Sequence, residues 1–335
     1  MTPATPRTNY HAVILSPHLD DAVFSCAGTI AGLLQQGPVL VINLFTGYST
    51  ELKSRGVVLT SARYQEEAEA AAFLGFDSIM LGELDVSFRR PEYRSLGNIF
   101  RPPVQADLDW LPELKARLLA LLATLSFKQL YAPLGIGWHV DHVLTCAMLD
   151  DWAGPAELLY YEDLPYGLLP HASRIRLAEL GLDLAVSQPA LAHPGANPGA
   201  NPGVIDQTLT AVPPLRAWWQ LMREYRRTAL IQNLRPWPLR LVAQPVVGFY
   251  LYRLMALHRQ RGAAGGTGSW QASIQPIEAQ FEQKLDAMML YRSQFKEFFL
   301  SRDDCENMLR RYARRMGGGQ GMGQGLVERH WRRRP

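Results

Sequence analysis

The side chains best suited to chemistry occur in two short motifs, and the first is Ser-Pro-His-Leu-Asp-Asp at residues 16–21. It places the imidazole of His18 beside the carboxylates of Asp20 and Asp21. Imidazole nitrogens and carboxylate oxygens bind zinc and similar divalent metals, and a carboxylate also accepts protons from water. A single motif of this kind is usually a helix cap with exposed carboxylates. Its interpretation therefore depends on a partner elsewhere in the chain.

That partner is a second motif, Gly-Trp-His-Val-Asp-His, which ends at His142. It supplies two histidines one helical turn apart, His139 and His142, with Asp141 between them. Together, His18, Asp21 and His142 offer two nitrogens and one oxygen. That ligand set is typical of a catalytic zinc site with an open position, whereas structural zinc sites usually contain several cysteines.

The other polar side chains of the two motifs have roles beside such a metal. Asp20 is expected to take a proton from water. Protonated His139 would stabilise an oxyanion or protonate a leaving amine. Asp141 would either orient His139 or hold a ligand imidazole. Cys146, one turn after His142, leaves a thiolate ligand as a minor alternative.

The elements that must position these motifs alternate between strands and helices. We predict strands over residues 12–16, 38–45, 78–81, 129–132 and 158–161, and helices over 25–36, 61–74 and 107–125. Strands separated by helices imply parallel crossovers, so the predicted fold is an α/β, Rossmann-like three-layer sandwich with a mostly parallel sheet. Such sheets form their sites at the carboxyl ends of the strands, where both motifs fall.

The second half of the chain shows no comparable alternation. An amphipathic pattern predicts a helix over residues 277–299, which we interpret as part of a C-terminal helical elaboration. The predicted organisation is one domain over 11–300 with its core in 11–170, and flexible termini at 1–10 and 310–335.

Composition limits the function classes. Of 335 residues, 47% are hydrophobic and 19% charged, which excludes a disordered polyampholyte. A net charge of +3 argues against a dedicated nucleic-acid binder. Three cysteines and no apolar leader or membrane span favour a cytoplasmic protein. An apolar, aromatic segment over 232–270 is interpreted as core packing, as an interface to another subunit or as a surface that lies on a membrane, so a homo-oligomer is an option.

The two motifs resemble those of the LmbE/PIG-L family of zinc-dependent N-acetylsugar deacetylases, over roughly residues 11–170. The resemblance implies that His18, Asp21 and His142 bind the metal. It further implies that Asp20 is the general base and that His139 stabilises the tetrahedral intermediate. Zn²⁺ is the expected cofactor, and Fe²⁺, Mn²⁺ or Co²⁺ also suit this donor set.

Three further residues are candidates for substrate binding. Arg63 resembles the start of the family's Arg-x-x-Glu helix, and Asp85 resembles an acidic position that contacts sugar hydroxyls. Glu162 follows the fifth predicted strand and is placed to reach the site. The basic and aromatic loop around residues 88–94 also suits a sugar. The first motif departs from the family's usual Ala-His-Pro-Asp-Asp-Glu, which indicates a divergent branch.

The expected reaction is hydrolysis of the N-acetyl group of an N-acetylglucosamine-type sugar or conjugate, releasing acetate by cleavage of a linear amide C–N bond. Three alternatives remain open. One is a metal-dependent amidase acting on a non-sugar amide, and the second is a catalytically idle glycan-binding protein. The third, a nucleotide-binding sensor, is disfavoured because no Gly-x-Gly-x-x-Gly follows the first strand.

Overall fold

A computed structural model of the chain describes residues 7–48, 61–94, 97–168, 172–180, 270–316 and 325–333. Within these ranges the strands are β1 (Ala12–Ser16), β2 (Val39–Asn43), β3 (Asp77–Met80), β4 (Gln129–Pro133), β5 (Glu157–Tyr161), β6 (Trp270–Pro276) and β7 (Val327–Arg333). The helices are α1 (Asp21–Leu34), α2 (Ser61–Leu74), α3 (Val86–Arg89), α4 (Gln105–Leu122), α5 (Val140–Ala147), α6 (Ala172–Glu179), α7 (Phe281–Leu290), α8 (Arg292–Phe298) and α9 (Arg302–Met316). The chain divides into two compact units, Met1–Leu164 with Ala279–Phe295 and Pro165–Glu278 with Lys296–Pro335.

The first unit is built on five parallel strands in the order β3-β2-β1-β4-β5. The apolar strands β1 and β2 are buried at every position, as expected when helices cover both faces of a parallel sheet. The strand order reverses between β1 and β4, and open α/β sheets bind ligands at such a switch point. Both chemical motifs follow these two strands directly, so the predicted α/β class and the predicted edge are confirmed.

Helix α1 begins at Asp21, four residues earlier than the predicted start at residue 25. Asp20 is its N-cap residue, and its carboxylate makes no capping hydrogen bond. A carboxylate in the first turn is stabilised by the helix dipole. The acidic pair of the first motif therefore belongs to the start of the helix and not to the preceding loop.

The amphipathic segment over 277–299 forms two helices, α7 and α8, where one was predicted. The break falls at Tyr291, whose hydroxyl donates a 2.6 Å hydrogen bond to the Glu67 carboxylate on α2. Lys284 on α7 donates to the carbonyl of Ser25 on α1 at 3.2 Å. Each bond contributes about 1.5–3 kcal/mol because one partner is charged. These long-range contacts, which local periodicity does not contain, fix α7 against α1 and α2.

The second unit contains the antiparallel pair β6 and β7, in register from Trp270 opposite Arg333 to Pro276 opposite Val327. Within the predicted flexible terminus over 310–335, the structure places the end of α9 and the strand β7, and the flexibility of this segment stays a prediction. Hydrogen bonding to β6 orders a segment whose Arg-rich composition alone suggests a solvated end. The prediction of one domain over 11–300 stays a prediction. Most of the apolar segment over 232–270 lies outside the described residues.

None of the helices in the described ranges is long and apolar enough to cross a membrane.

Substitution of a glycine close to the site tests the packing at this edge of the sheet. Gly47 pairs with Leu84 across a parallel bridge, and a Cβ at this position would overlap the carbonyl oxygen of Gly82 and lie 3.0 Å from that of Glu83. We expect Gly47→Ala to destabilise the protein by about 1–3 kcal/mol, because rigid backbone must shift. Urea unfolding measures this change. The matched control is Gly32→Ala within α1, where a Cβ meets nothing within 4 Å. Gly32→Ala should be stabilised by about 0.5–1 kcal/mol. Equal changes in the free energy of unfolding for the two variants would contradict the close packing at Gly47.

Candidate metal centre

The two motifs meet at the carboxylate of Asp21. Its Oδ2 atom lies 3.1 Å from Nδ1 of His18 and 3.1 Å from Nε2 of His142. The same oxygen accepts a 2.9 Å hydrogen bond from the backbone N–H of His18, which holds the carboxylate in place. The three ligands inferred from sequence are therefore brought together by the ends of β1 and β4.

The outer nitrogen of each imidazole faces a second carboxylate. Nε2 of His18 lies 3.1 Å from Oδ2 of Asp141, and Nδ1 of His142 lies 2.7 Å from Oδ1 of Asp163. A carboxylate partner places the ring proton on the nitrogen that faces it. The nitrogen of each ring that faces Asp21 would then offer its lone pair to a metal held beside that carboxylate.

This arrangement fits a divalent metal in both spacing and charge. Two ligands about 2.1 Å from a tetrahedral ion lie about 3.4 Å apart, close to the observed nitrogen–oxygen distances. Burial opposes protonation of His142, but Asp21 and Asp163 raise its pKa to about 9. The pKa of His18 is also raised, against the effect of burial, by Asp141 and Asp21. The electrostatic field of the surrounding carboxylates therefore favours a positive charge between the two imidazoles.

Two neighbouring groups of side chains offer alternative ligand sets. His18, His139 and His142 have ligand atoms within 4.8 Å of one another, and so do His18, Asp85 and Asp141. Among the described residues Cys146 joins neither group, so the structure gives no support to a thiolate ligand. His18 is common to both groups and to the set inferred from sequence.

Asp163 was expected from sequence, together with Glu162, only to reach the site, and its contact with His142 was not foreseen. Besides holding His142, its Oδ2 accepts a 2.9 Å hydrogen bond from the backbone N–H of Ile136. The sequence signal that could have identified Asp163 is its position two residues after β5. That strand lies beside β4, which the second motif follows. Glu162 is buried beside it in the chain, and its predicted contact with substrate stays a prediction.

Replacing Asp163 by Asn should weaken metal binding without abolishing it. The amide keeps the shape but loses the charge that orients His142, and changes to such partners typically cost about 10–100-fold in metal affinity. Competition with a chromophoric chelator measures the affinity. An affinity equal to that of the wild type would show that Asp163 does not support a metal ligand.

Asp20 lies beside the metal centre, but its carboxylate is not the one that lies between the two imidazoles. It is buried, and its Oδ1 lies 3.3 Å from a guanidinium nitrogen of Arg63. Burial raises the pKa of Asp20 to about 6, even though the nearby Arg63 acts to lower it. A carboxylate with a pKa near the working pH is suited to accept and return a proton. Arg63 thus contacts the predicted base, and its predicted role in binding substrate remains untested.

His139 packs its ring edge-on against the other histidines. Its centroid lies 4.8 Å from that of His18 and 5.2 Å from that of His142, and Phe100 lies 5.7 Å away on another loop. Burial, with the neighbouring His18, holds the pKa of His139 well below its usual value. Its Nδ1 is buried and has no hydrogen-bond partner in the part of the chain that the structure describes. A neutral imidazole N–H donor, not the protonated ring expected from sequence, fits these surroundings.

Asp141 holds the His18 imidazole and not His139. Its Oδ2 lies 3.1 Å from Nε2 of His18 and accepts a 3.0 Å hydrogen bond from the backbone N–H of Val86, while Oδ1 lies 2.8 Å from the Arg89 guanidinium. Burial acts to raise its pKa, but Arg89 and His18 lower it overall. Of the two roles predicted for Asp141, the contacts support the holding of a ligand imidazole.

Asp85 has structural contacts that the sequence did not reveal. Its Oδ1 accepts a 2.8 Å hydrogen bond from the backbone N–H of Ser87 and caps α3, and its Oδ2 lies 3.5 Å from Nε2 of His18. The carboxylate therefore faces the outer nitrogen of His18. Its predicted contact with sugar hydroxyls stays a prediction.

The loop that carries His139 has an unusual backbone. Gly135 and Gly137 have φ values of 76° and 89°, and the buried Trp138 has φ 60°. The left-handed conformation is strained for a bulky side chain. The loop keeps this conformation at Trp138 and places His139 directly before α5. This indicates that the surrounding packing fixes the position of His139.

Comparison with known proteins supports the family resemblance found in the first half of the chain. Residues 13–153 match the sequence profile of the PIG-L family, described as GlcNAc-PI de-N-acetylase. The match over residues 13–153 agrees with the resemblance to the PIG-L/LmbE family that the two motifs predicted.

Two similar proteins are named 2'-N-acetylparomamine deacetylase. The one from Niallia circulans is 28% identical over 185 residues, covering 46% of this chain and 66% of that protein. The one from Streptomyces fradiae is 26% identical over 162 residues, covering 46% of this chain and 57% of that protein. The chain thus spans less than two thirds of the length of either relative.

Solved structures with the same fold are described as deacetylases. The A40926 pseudoaglycone deacetylase has a TM-score of 0.53 and 18% identity, covering 98% of both chains. A teicoplanin deacetylase in its zinc-inhibited form has a TM-score of 0.55 and 18% identity, covering 97% of this chain and 98% of that chain. These likenesses confirm the predicted fold class.

Proposed function

We propose that this protein is a metal-dependent N-deacetylase that hydrolyses the N-acetyl group of an N-acetylglucosamine-type sugar within a larger conjugate. The observation that carries the proposal is Asp20, a buried carboxylate whose pKa is raised to about 6. It is next in the chain to Asp21, whose Oδ2 lies 3.1 Å from two imidazoles. A pure binding site has no use for such a base. His18, Asp21 and His142 are the proposed ligands, and Zn²⁺ is the proposed metal, with Fe²⁺, Mn²⁺ or Co²⁺ as alternatives.

We assign each chemical step of the proposed reaction to a side chain of this chain. His18, Asp21 and His142 would hold a divalent cation, which would supply Lewis acidity to the acetyl carbonyl and lower the pKa of water. Asp20 accepts a proton from the water that attacks the carbonyl carbon. The neutral N–H of His139 donates a hydrogen bond to the oxyanion. Protonated Asp20 then gives its proton to the nitrogen, the amide C–N bond breaks, and acetate and a free amine leave.

The substrate class draws its support from the relatives and the fold. Both curated relatives are named for deacetylation of N-acetylparomamine, and the structural neighbours for teicoplanin and a pseudoaglycone. We extend to this chain the removal of an N-acetyl group from an amino-sugar conjugate. A cytoplasmic location, which suits a chain with only the three cysteines Cys26, Cys146 and Cys305, is part of the proposal. The homo-oligomer option stays a prediction.

A substrate panel tests the proposal. The zinc-loaded full chain is incubated with N-acetylglucosamine, with glycosides and larger conjugates of this sugar, and with non-sugar N-acetyl amides. Acetate and primary amine are both quantified, and we expect them in a 1:1 ratio from the sugar conjugates. Hydrolysis of the non-sugar amides alone would favour the general amidase. Binding of conjugates with no acetate released would favour the idle glycan-binding protein and overturn the proposal.

A further inference from the structure

A buried arginine lies behind the metal centre. The guanidinium of Arg89 lies 2.8 Å from Oδ1 of Asp141 and donates a 2.8 Å hydrogen bond to the carbonyl of Leu84. Its side chain is 6% exposed. The composition of this basic and aromatic loop predicted that it would face a sugar substrate. Instead, Arg89 points inward, and the rings of Phe45 and Trp110 lie 5.3 Å from its guanidinium carbon.

A second buried carboxylate anchors this arginine from the far side. Asp107, completely buried in the first turn of α4, accepts two hydrogen bonds of 3.2 Å from Arg89. It also accepts a 2.8 Å hydrogen bond from the Tyr93 hydroxyl and a 2.5 Å hydrogen bond from Arg90. A guanidinium held at several points by a buried carboxylate has little freedom to rotate. Asp107 therefore fixes where Arg89 meets Asp141.

The contacts form a chain of four side chains that ends at a proposed metal ligand. Asp107 holds Arg89, Arg89 holds Oδ1 of Asp141, and Oδ2 of Asp141 faces Nε2 of His18. Because Arg89 occupies one oxygen, the Asp141 carboxylate cannot turn without breaking a buried ion pair. The other oxygen is thereby kept for the ring of His18.

We propose that Arg89 is a positioning residue for the metal centre, acting through Asp141 to orient His18. Arg89 contacts neither the proposed ligands nor the proposed base, so its effect passes through the carboxylate that it holds. The inference rests on the proposed metal site at His18, Asp21 and His142. It assigns a function to the loop between β3 and α4 that is independent of substrate binding.

Metal affinity in the absence of substrate tests this inference. Zinc affinity is measured by chelator competition for the wild-type full chain, for Arg89→Met and for Arg89→Lys, and the Co²⁺-substituted forms are compared by visible absorption. We expect Arg89→Met to bind zinc about 10–100-fold more weakly and to show altered Co²⁺ bands. Arg89→Lys should give an intermediate loss, because the charge remains and the planar fork is lost. The control Arg117→Met, on the exposed side of α4, should match the wild type.

The possible failures are distinguishable. Folded Arg89 variants with the affinity and Co²⁺ spectrum of the wild type would overturn the positioning role while leaving the metal site intact. If Arg89→Met does not fold, Arg89→Lys decides by the same two measurements. A wild-type chain that binds neither metal would overturn the proposed function itself.

Discussion

Replacement of Asp20 by Asn is expected to lower kcat for acetate release by about 10²–10⁴-fold, the usual contribution of a positioned proton acceptor. Asparagine has nearly the same shape and is well tolerated at a helix N-cap, the position that Asp20 occupies in α1. It cannot take a proton from water. Zinc content should equal that of the wild type, because the change leaves Asp21 and both imidazoles in place.

Acetate release with saturating substrate and measured zinc content checks this expectation. The matched control is Asp109→Asn, an exposed position on α4, which should have wild-type kcat. An Asp20→Asn variant that retains wild-type kcat would remove Asp20 from the mechanism. A variant that loses zinc in proportion to its activity would assign Asp20 to the metal and not to proton transfer.

Removal of His142 is expected to abolish both metal binding and turnover. His142→Ala deletes the imidazole whose Nε2 lies 3.1 Å from Asp21, leaving only two of the three proposed ligands. Metal content measured after dialysis should fall from about one zinc per chain to near zero. The matched control is His11→Ala at the amino end of β1, which should retain its zinc.

His142→Ala also leaves the completely buried Asp163 carboxylate without its imidazole. Loss of one member of a buried pair typically costs about 3–5 kcal/mol, so circular dichroism must accompany the metal measurement. If the variant does not fold, Asp21→Asn removes the shared oxygen charge with little change in shape and should also lose zinc. Folded variants of both kinds that retain one tightly bound zinc would contradict the ligand set.

The positions of the two motifs in the fold could be predicted from sequence because the signals are local. Apolar runs such as Ala12–Ser16 specify buried parallel strands, and helical spacing between them specifies the crossovers. Parallel strands place their carboxyl ends at one edge, so His18 and His142 had to approach each other once the alternation was recognised. No knowledge of side-chain contacts was needed for that conclusion.

The partners of these side chains could not be predicted because they depend on contacts between distant parts of the chain. Asp163 meets His142 only because β5 pairs with β4. The partner of Asp141 was ambiguous, since the sequence allowed either the neighbouring His139 or a ligand imidazole. The break between α7 and α8 likewise depends on Tyr291 reaching Glu67 on α2. Arg89 was predicted to face the substrate because its two carboxylate partners could not be recognised from sequence. These partners, Asp107 and Asp141, lie 18 and 52 positions away in the chain.

Anomalous diffraction at the zinc edge from crystals of the zinc-loaded protein tests the central claim most directly. We expect one strong peak within about 2.3 Å of Nδ1 of His18, Nε2 of His142 and an oxygen of Asp21. A peak bounded instead by His18, Asp85 and Asp141, or no peak in crystals of a protein that carries zinc in solution, would contradict the metal centre proposed for this chain.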